Sequence, residues 1–284
     1  MENNHYIYSQ LVNGRKFDTC TLEQGFKDVY SEVQEHNSSL KCASVMQQGV
    51  LPQQKHFDRL FKDSFILFKP QSYVSGDFYW VAQKGSYKYI AVGDCTGHGV
   101  SAAMMTMLGL SLINIIVLNS KVTDTHDIIK KLDKKIINTF PFSNDRFNND
   151  WIDISIVRVD EENKQIQYTT ANRKMLYINE QKSELLQTCK SPVGAWQMFE
   201  HRSFTSETIT YKAGDKLYMG SDGFQDQFGG KNNKKLGSRK LHNKISDISH
   251  LQMKHQKNAL TNMFDTWKND NFQVDDVCIV GIEL

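Results

Sequence analysis

A heptad pattern of apolar positions marks the first regular element of the chain. It begins at Thr21, and Gln24 three residues later completes the sequence signature of a helix N-terminus. The apolar positions then alternate in steps of four and three until Leu51-Pro52, where proline ends the helical pattern. This spacing predicts a helix over residues 21–51, after a loose tail over residues 1–20. These positions form a seam that is apolar at all but two of them, His36 and Gln47, and consists of Leu22, Phe26, Val29, Val33, His36, Leu40, Ala43, Gln47 and Val50.

Two interpretations of this helix stay open. Its apolar side either packs on the domain that follows or pairs with the same helix of a second copy. The apolar seam is narrow, as is typical of helices that pair in coiled coils. It also precedes every segment of the chain that has the pattern of a globular core. We therefore favour a regulatory or dimerisation helix, with a homodimer formed through residues 21–51.

Beyond Pro52 the pattern changes to short β-like runs separated by turns. Helical stretches lie between the runs, at about residues 100–119, 124–139 and 240–267. Several strands in succession, with the helices grouped between them, are typical of an α+β domain and argue against a doubly wound parallel sheet. We assign residues 52–284 to this domain. The strand-like runs are residues 64–68, 87–92, 152–159, 165–170, 216–219 and 277–282.

Charge and composition exclude several classes of protein. The 34 Lys and Arg residues against 32 Asp and Glu give a formal net charge of +2, which argues against a nucleic-acid-binding protein. Five scattered cysteines without a CxxC pair, and the lack of a leader-like N-terminus, predict a cytoplasmic protein. The most apolar run, Met104–Leu118, is too short to span a bilayer, so we expect a buried helix and no membrane partner.

Aspartates stand at the ends of the apolar runs, next to glycines. Asp94 and Asp222 each follow an apolar run, whereas Asp77 and the pair Asp275-Asp276 each begin one. If these strands run antiparallel, the four positions meet at one edge of a sheet. A single Asp-Gly pair usually forms only a turn, but four such positions beside strongly apolar strands indicate a shared site.

Carboxylates gathered in this way need cations. Crowded acidic groups repel one another, and burial raises the free-energy cost further. Oxygen ligands without histidine or cysteine side chains select Mg²⁺ or Mn²⁺. Two such ions, about 4 Å apart, can hold a bridging hydroxide and clamp a phosphoryl group during in-line displacement. The sequence therefore predicts a site for two Mn²⁺ or Mg²⁺ ions.

The motifs around these aspartates occur in the order and spacing of one enzyme family. They are Val74–Trp80 (VSGDFYW), Gly93–Gly99 (GDCTGHG), Ser221–Phe224 (SDGF) and Asp275–Val277 (DDV). The chain resembles the metal-dependent protein phosphatases of the 2C type, in the bacterial branch related to the stage II sporulation protein E. The resemblance covers about residue 51 to the C-terminus. It implies an αββα sandwich of two antiparallel sheets flanked by helices, preceded by the N-terminal helix.

The resemblance also implies a role for each position. Asp94 would bridge both ions, and the backbone carbonyl of Cys95 would complete one coordination sphere. Asp222 and Asp275 would complete the other, while Asp77 would act near the metals through water. In the family the first Asp of the closing pair is the ligand, and the second remains a candidate. The implied metal site comprises Asp77, Asp94, Cys95, Asp222, Asp275 and Asp276, of which Asp94, Asp222 and Asp275 are catalytic.

The implied reaction is hydrolysis of phosphoserine or phosphothreonine on a regulatory protein. A metal-bridging hydroxide would attack phosphorus directly, and an upstream regulator would act through the N-terminal helix. The sequence has no N-terminal arginine placed to hold the phosphate, so the metals would hold it.

The alternative is a catalytically inactive phosphatase-like module that binds a partner in a partner-switching pathway. Retention of Asp94, Asp222 and Asp275 favours the enzyme over this module. A metal-dependent phosphodiesterase or nucleotide hydrolase is disfavoured, because the chain has no HxH or HExxH spacing of histidine ligands.

Overall fold

Helices and antiparallel strands alternate along residues 19–139, 150–194 and 202–284, which the computed structural model describes. The helices are α1 (Thr19–Val50), α2 (Gln54–Asp58), α3 (Val100–Asn119), α4 (Thr125–Thr139), α5 (Gly223–Asp226), α6 (Ser238–Ile248) and α7 (Met253–Lys268). The strands are β1 (Asp63–Lys69), β2 (Asp77–Lys84), β3 (Tyr87–Cys95), β4 (Trp151–Asp160), β5 (Gln165–Ala171), β6 (Met175–Ile178), β7 (Ser183–Leu186), β8 (Val193–Gly194), β9 (Glu207–Thr210), β10 (Lys216–Gly220), β11 (Phe228–Gly229), β12 (Lys234–Lys235) and β13 (Val277–Glu283).

The N-terminal helix is present where the heptad pattern predicts it. Helix α1 begins two residues earlier than expected, so Thr19 and Cys20 of the predicted tail are helical, and the rest of that tail lies outside the described residues. The chain divides into two units, Met1–Ala43 and Ser44–Leu284, and α1 contributes to both. In the first unit the seam side chains of Phe26 and Val33 are 74% and 49% exposed. The described part of this unit therefore carries an exposed apolar seam.

The described part of the second unit contains two large antiparallel sheets, as predicted, together with the two-stranded pair β11-β12. The larger sheet has the order β2-β3-β4-β5-β9, with β8 paired to β4, and the smaller has the order β1-β13-β10-β6-β7. Helices α3 and α4 pack on the larger sheet, and α7 packs on the smaller one. Strands β10 and β13 of the smaller sheet contact β2 and β3 of the larger. The predicted α+β sandwich of two antiparallel sheets flanked by helices is confirmed.

The strand sequences reflect burial on both faces of the sheets. In β4, Ile154, Ile156 and Val157 are fully buried, and the polar residues Asp153 and Ser155 that alternate with the isoleucines are buried as well. A second apolar cluster lies between the smaller sheet and helices α6 and α7, where the rings of Phe224 and Phe264 pack with centroids 5.1 Å apart. All six strand-like runs predicted from the sequence are strands in the structure.

The helical region expected at about residues 240–267 is helical, and it consists of two helices, α6 and α7. The side-chain amide of Gln256 donates to the backbone oxygens of Ser249 and Leu251, at 3.3 and 2.8 Å. A buried side chain thus satisfies the carbonyl groups that the helix break leaves without helical partners.

Helix α3 contains the most apolar run of the chain. The helix is longer than the run Met104–Leu118, so the expectation that it is too short to span a bilayer is wrong by length: α3 is the one helix in the three described stretches that is long and apolar enough to cross a membrane. Half of its apolar stretch is buried inside the protein. Met105, Leu110 and Ile113 are buried against the larger sheet. The prediction of a buried helix is confirmed for this face.

Gly223 allows the chain after β10 to approach the chain before β13. A Cβ atom at Gly223 would lie 1.9 Å from the backbone oxygen of Asp276 and 3.2 Å from the Cβ of Asp275. Real Cβ atoms do not approach a backbone oxygen so closely, so any larger residue must push the two segments apart.

We expect Gly223→Ala to lower the free energy of unfolding by about 1–3 kcal/mol, because it overpacks a rigid backbone contact. Urea unfolding measures the change. The control is Gly49→Ala in α1, where nothing lies within 4 Å of the added methyl group, and this variant should be neutral or slightly stabilising. Equal stabilities of the two variants would show that the close approach does not constrain the fold.

Candidate active site

The two sheets bring the strand-end aspartates to one place. Asp77 opens β2 directly opposite Asp94 near the end of the antiparallel strand β3. Asp222 follows β10, and Asp275 precedes β13, its antiparallel neighbour in the other sheet. The Ser221 hydroxyl, beside Asp222, donates a hydrogen bond to Asp77 and so joins the two groups. The convergence expected from the sequence is therefore present in the structure.

An arginine that the sequence analysis missed lies at the centre of this cluster. The guanidinium of Arg173 forms ion pairs with Asp94, with Asp153 at 3.3 Å and with Asp222 at 3.1 Å. Arg173 lies in the corner between β5 and β6, next to Asn172, which adopts a positive φ of 57°. The Asn172 amide donates to both carboxylate oxygens of Asp153, at 3.0 and 2.9 Å.

Asp153 was also missed, although the sequence carries a signal for it. It is an acidic residue inside the apolar run of β4, and the register of β3 and β4 places it opposite Asp94. Asp153 is only 8% exposed. A buried charge in a central strand requires a partner, so this position could have been assigned to the cluster. The sequence around Arg173 carries no comparable signal.

The positive charge of Arg173 does not fully offset the charges of the surrounding carboxylates. Burial raises the pKa of Asp94 to about 7, and the Asp222 and Asp275 carboxylates add to the rise, while Arg173 opposes it. Burial also raises the pKa of Asp153 to about 6, and burial and the Asp94 charge raise the pKa of Asp77 well above its usual range. The cluster therefore favours the binding of protons or cations.

The loop that leads into Asp77 is held from three sides. Gln47 in the last turn of α1 donates to the Ser75 oxygen at 2.6 Å and accepts from the Ser75 nitrogen at 2.9 Å. Thr106 of α3 donates to the Gly76 oxygen at 2.7 Å, and an Asp276 oxygen accepts from the Gly76 nitrogen at 2.7 Å. These bonds explain why the heptad seam has a polar residue at Gln47, which is buried.

The two aspartates of the closing pair have different surroundings. Both carboxylate oxygens of Asp276 accept backbone hydrogen bonds at 2.7 Å, from Gln71 and Gly76. Asp275 faces the cluster, where its charge acts on that of Asp94, and one of its oxygens accepts from the Asp276 nitrogen at 2.8 Å. Asp276 therefore anchors a loop, and Asp275 is better placed to bind a cation.

The donor set fits hard divalent cations. Carboxylates of five chain segments meet here without histidine or sulfur ligands, and a Cβ at Gly76 would lie 3.1 Å from the backbone oxygen of Cys95, beside the loop that carries Asp77. Mg²⁺ and Mn²⁺ prefer such oxygen ligands. Within residues 19–139, 150–194 and 202–284, no three His, Cys, Asp or Glu side chains are arranged to hold one ion, and Arg173 occupies one oxygen each of Asp94 and Asp222.

A comparison with protein families finds one match over most of the chain. Residues 84–284 match the model of the family described as stage II sporulation protein E (SpoIIE). The chain is also 23% identical over 248 residues to the phosphoserine phosphatase RsbP of Bacillus subtilis strain 168, covering 86% of this chain. The match spans only 57% of the length of that curated relative.

Solved structures share the fold. The SiaA-PP2C domain of Pseudomonas aeruginosa superimposes with a TM-score of 0.79 at 24% identity, covering 89% of this chain and 98% of that domain. The PP2C phosphatase domain of SpoIIE from Bacillus subtilis, solved with a fragment of its regulatory domain, gives a TM-score of 0.63 at 16% identity. This match covers 78% of this chain and 63% of that one.

We expect Gln47→Ala to destabilise the protein by about 1–3 kcal/mol, because it leaves the buried Ser75 nitrogen and oxygen without their partners. Calorimetric titration should also show weaker Mn²⁺ binding, since the Asp77 loop loses a support. The control is Gln48→Ala, whose side chain is exposed and bonds only Ser44 at 3.2 Å, and its effect should stay within about 0.5 kcal/mol. Identical Mn²⁺ affinities in both variants and the wild type would contradict the link from α1 to this loop.

Proposed function

The chain belongs to the stage II sporulation protein E (SpoIIE) family, and we propose that it is a Mn²⁺- or Mg²⁺-dependent serine/threonine protein phosphatase. The proposal rests on one observation: buried and half-buried carboxylates from both sheets meet around the guanidinium of Arg173. Such a cluster binds divalent cations readily, because they relieve the repulsion that burial strengthens. The family membership supports phosphatase chemistry for this domain and agrees with the resemblance seen in the sequence.

Each aspartate then has a distinct task. Asp94, at the centre of the cluster, would bridge the two ions, with the Cys95 carbonyl beside it. Asp222 and Asp275 would complete the second set of ligands. Asp77, which accepts a hydrogen bond from the Ser221 hydroxyl, would act near the ions through water. When bound, such ions lower the pKa of a coordinated water and draw charge from phosphoryl oxygens.

A phosphorylated side chain of another protein can reach this cluster. The Asp222 side chain is 36% exposed and the Asp94 side chain 19% exposed, so the site opens to solvent at the sheet edge. We infer a phosphoserine or phosphothreonine on a regulatory protein as the substrate, supported by the relative named phosphoserine phosphatase RsbP. An upstream regulator as a further partner and a cytoplasmic location stay predictions from the sequence.

The test is hydrolysis of a phosphoserine peptide in the presence of Mn²⁺. Asp94→Asn should lower kcat at least about a hundredfold, because it removes the central charge of the site, and EDTA should abolish the wild-type activity. Asp270→Asn, at an exposed position, is the control and should retain full activity. Equal activity of the Asp94→Asn variant and the wild type would refute the two-ion mechanism.

The same experiment tests the inactive binding module. If the wild-type protein binds the phosphopeptide but does not hydrolyse it with either Mn²⁺ or Mg²⁺, the module is favoured over the enzyme. Retention of all four strand-end aspartates, and their convergence, support the enzyme.

We further propose that α1 is a dimerisation helix, because its seam is exposed at Phe26 and Val33. Light scattering at micromolar concentration should give the mass of a dimer for the wild type. Leu40→Asp places a charge in the seam and should give a monomer, whereas Ser38→Asp lies off the seam and should leave the dimer intact. A monomeric wild type would contradict this proposal.

A further inference from the structure

Arg173 and divalent cations would compete for the same carboxylates. The guanidinium binds Asp94 and Asp222, two of the proposed metal ligands, and it is itself only 11% exposed at its side chain. A guanidinium does not give up its charge at any pH that proteins tolerate. Two cations cannot occupy the same carboxylate oxygens at close range without strong repulsion. Metal binding must therefore displace Arg173 from Asp94 and Asp222.

We propose that Arg173 is the counter-ion that metals displace from this site and that it then binds the phosphate of the substrate. The inference rests on the proposed two-ion function and adds a residue to it that the motifs do not contain. Arg173 would thus neutralise the carboxylates before metals bind, and afterwards would neutralise the anion that the metals attract.

The structure provides an anchor for this exchange. Asp153, the third partner of Arg173 at 3.3 Å, is not among the proposed metal ligands. Both of its oxygens are held by the Asn172 amide. When metals take Asp94 and Asp222, Asp153 remains as a fixed partner, so the guanidinium stays at the edge of the site.

The guanidinium also has donors to offer to an anion. Its buried Nε atom has no hydrogen-bond partner among the described residues, and release from Asp94 and Asp222 frees donors on both terminal nitrogens. A cavity of about 340 Å³ adjoins Arg173, and Lys174 and His242 line it. An arginine fork matches the geometry of phosphate oxygens, so the displaced side chain is suited to a phosphate held at the metals.

The first experiment measures melting temperatures in EDTA and in saturating Mn²⁺. In EDTA, Arg173→Gln should lower the melting temperature by about 5–10 °C, because three carboxylates lose their counter-ion. In Mn²⁺ this decrease in melting temperature should be less than half as large, because the metals replace the arginine as counter-ions of the carboxylates. Calorimetry should show Mn²⁺ binding about tenfold tighter than in the wild type. Arg173→Lys keeps the positive charge, but a lysine cannot span three carboxylates. Its melting temperatures should therefore lie between those of the wild type and those of Arg173→Gln.

The matched control is Arg158→Gln. Arg158 is also a largely buried arginine, at 16% side-chain exposure, and it pairs with Asp124 at 3.1 Å. Its loss should lower the melting temperature equally in EDTA and in Mn²⁺. If Arg173→Gln behaves in the same way, the displacement is refuted while the two-ion function stands. If the wild type binds neither Mn²⁺ nor Mg²⁺, both the proposed function and this inference are wrong.

The second experiment uses inorganic phosphate as a competitive inhibitor of the Mn²⁺-saturated enzyme. Arg173→Gln should weaken phosphate inhibition about tenfold or more and raise KM for the phosphoserine peptide more than it lowers kcat. Arg158→Gln should leave both quantities unchanged. An unchanged inhibition constant in Arg173→Gln would overturn the assignment of Arg173 to phosphate.

Discussion

The repulsion among carboxylates at one end of the two sheets is the constraint on which the rest of the structure depends. Asp77, Asp94 and Asp153 come from the larger sheet, whereas Asp222 and Asp275 come from the smaller one. Burial strengthens this repulsion, and one arginine offsets only part of it. The surrounding fold must therefore hold the carboxylates together against their mutual repulsion, as preorganised binding sites do.

Three features of the fold supply this restraint. The antiparallel register fixes Asp77 opposite Asp94, so these two carboxylates cannot separate along the strands. Gly223 lets two backbone segments touch where a side chain would part them. Hydrogen bonds from Gln47 and Thr106 fix the loop before Asp77. Because Gln47 lies in the last turn of α1, any shift of that turn must move the Asp77 loop or break two buried hydrogen bonds.

The sequence predicted the strand-end positions but not the centre of the site. Asp94 and Asp222 could be placed because an apolar run ends just before each of them, which is a local pattern. Arg173 could not, because it meets Asp94 across 79 residues of chain, and the register of β3, β4 and β5 brings the two together. The break between α6 and α7 was missed for a similar reason, since the buried side chain of Gln256 supports it.

The raised pKa of Asp94 links this site to the stability of the whole domain. Its pKa is about 7 in the folded protein, against an ordinary value of 3.8. A carboxyl group with a raised pKa binds its proton more tightly in the folded state, so its contribution to stability is full below the ordinary value and is lost as the pH rises towards 7. At neutral pH and above, the charged cluster therefore opposes folding. Cations that bind only the folded cluster reverse this effect, so the same carboxylates that destabilise the isolated chain make metal binding favourable.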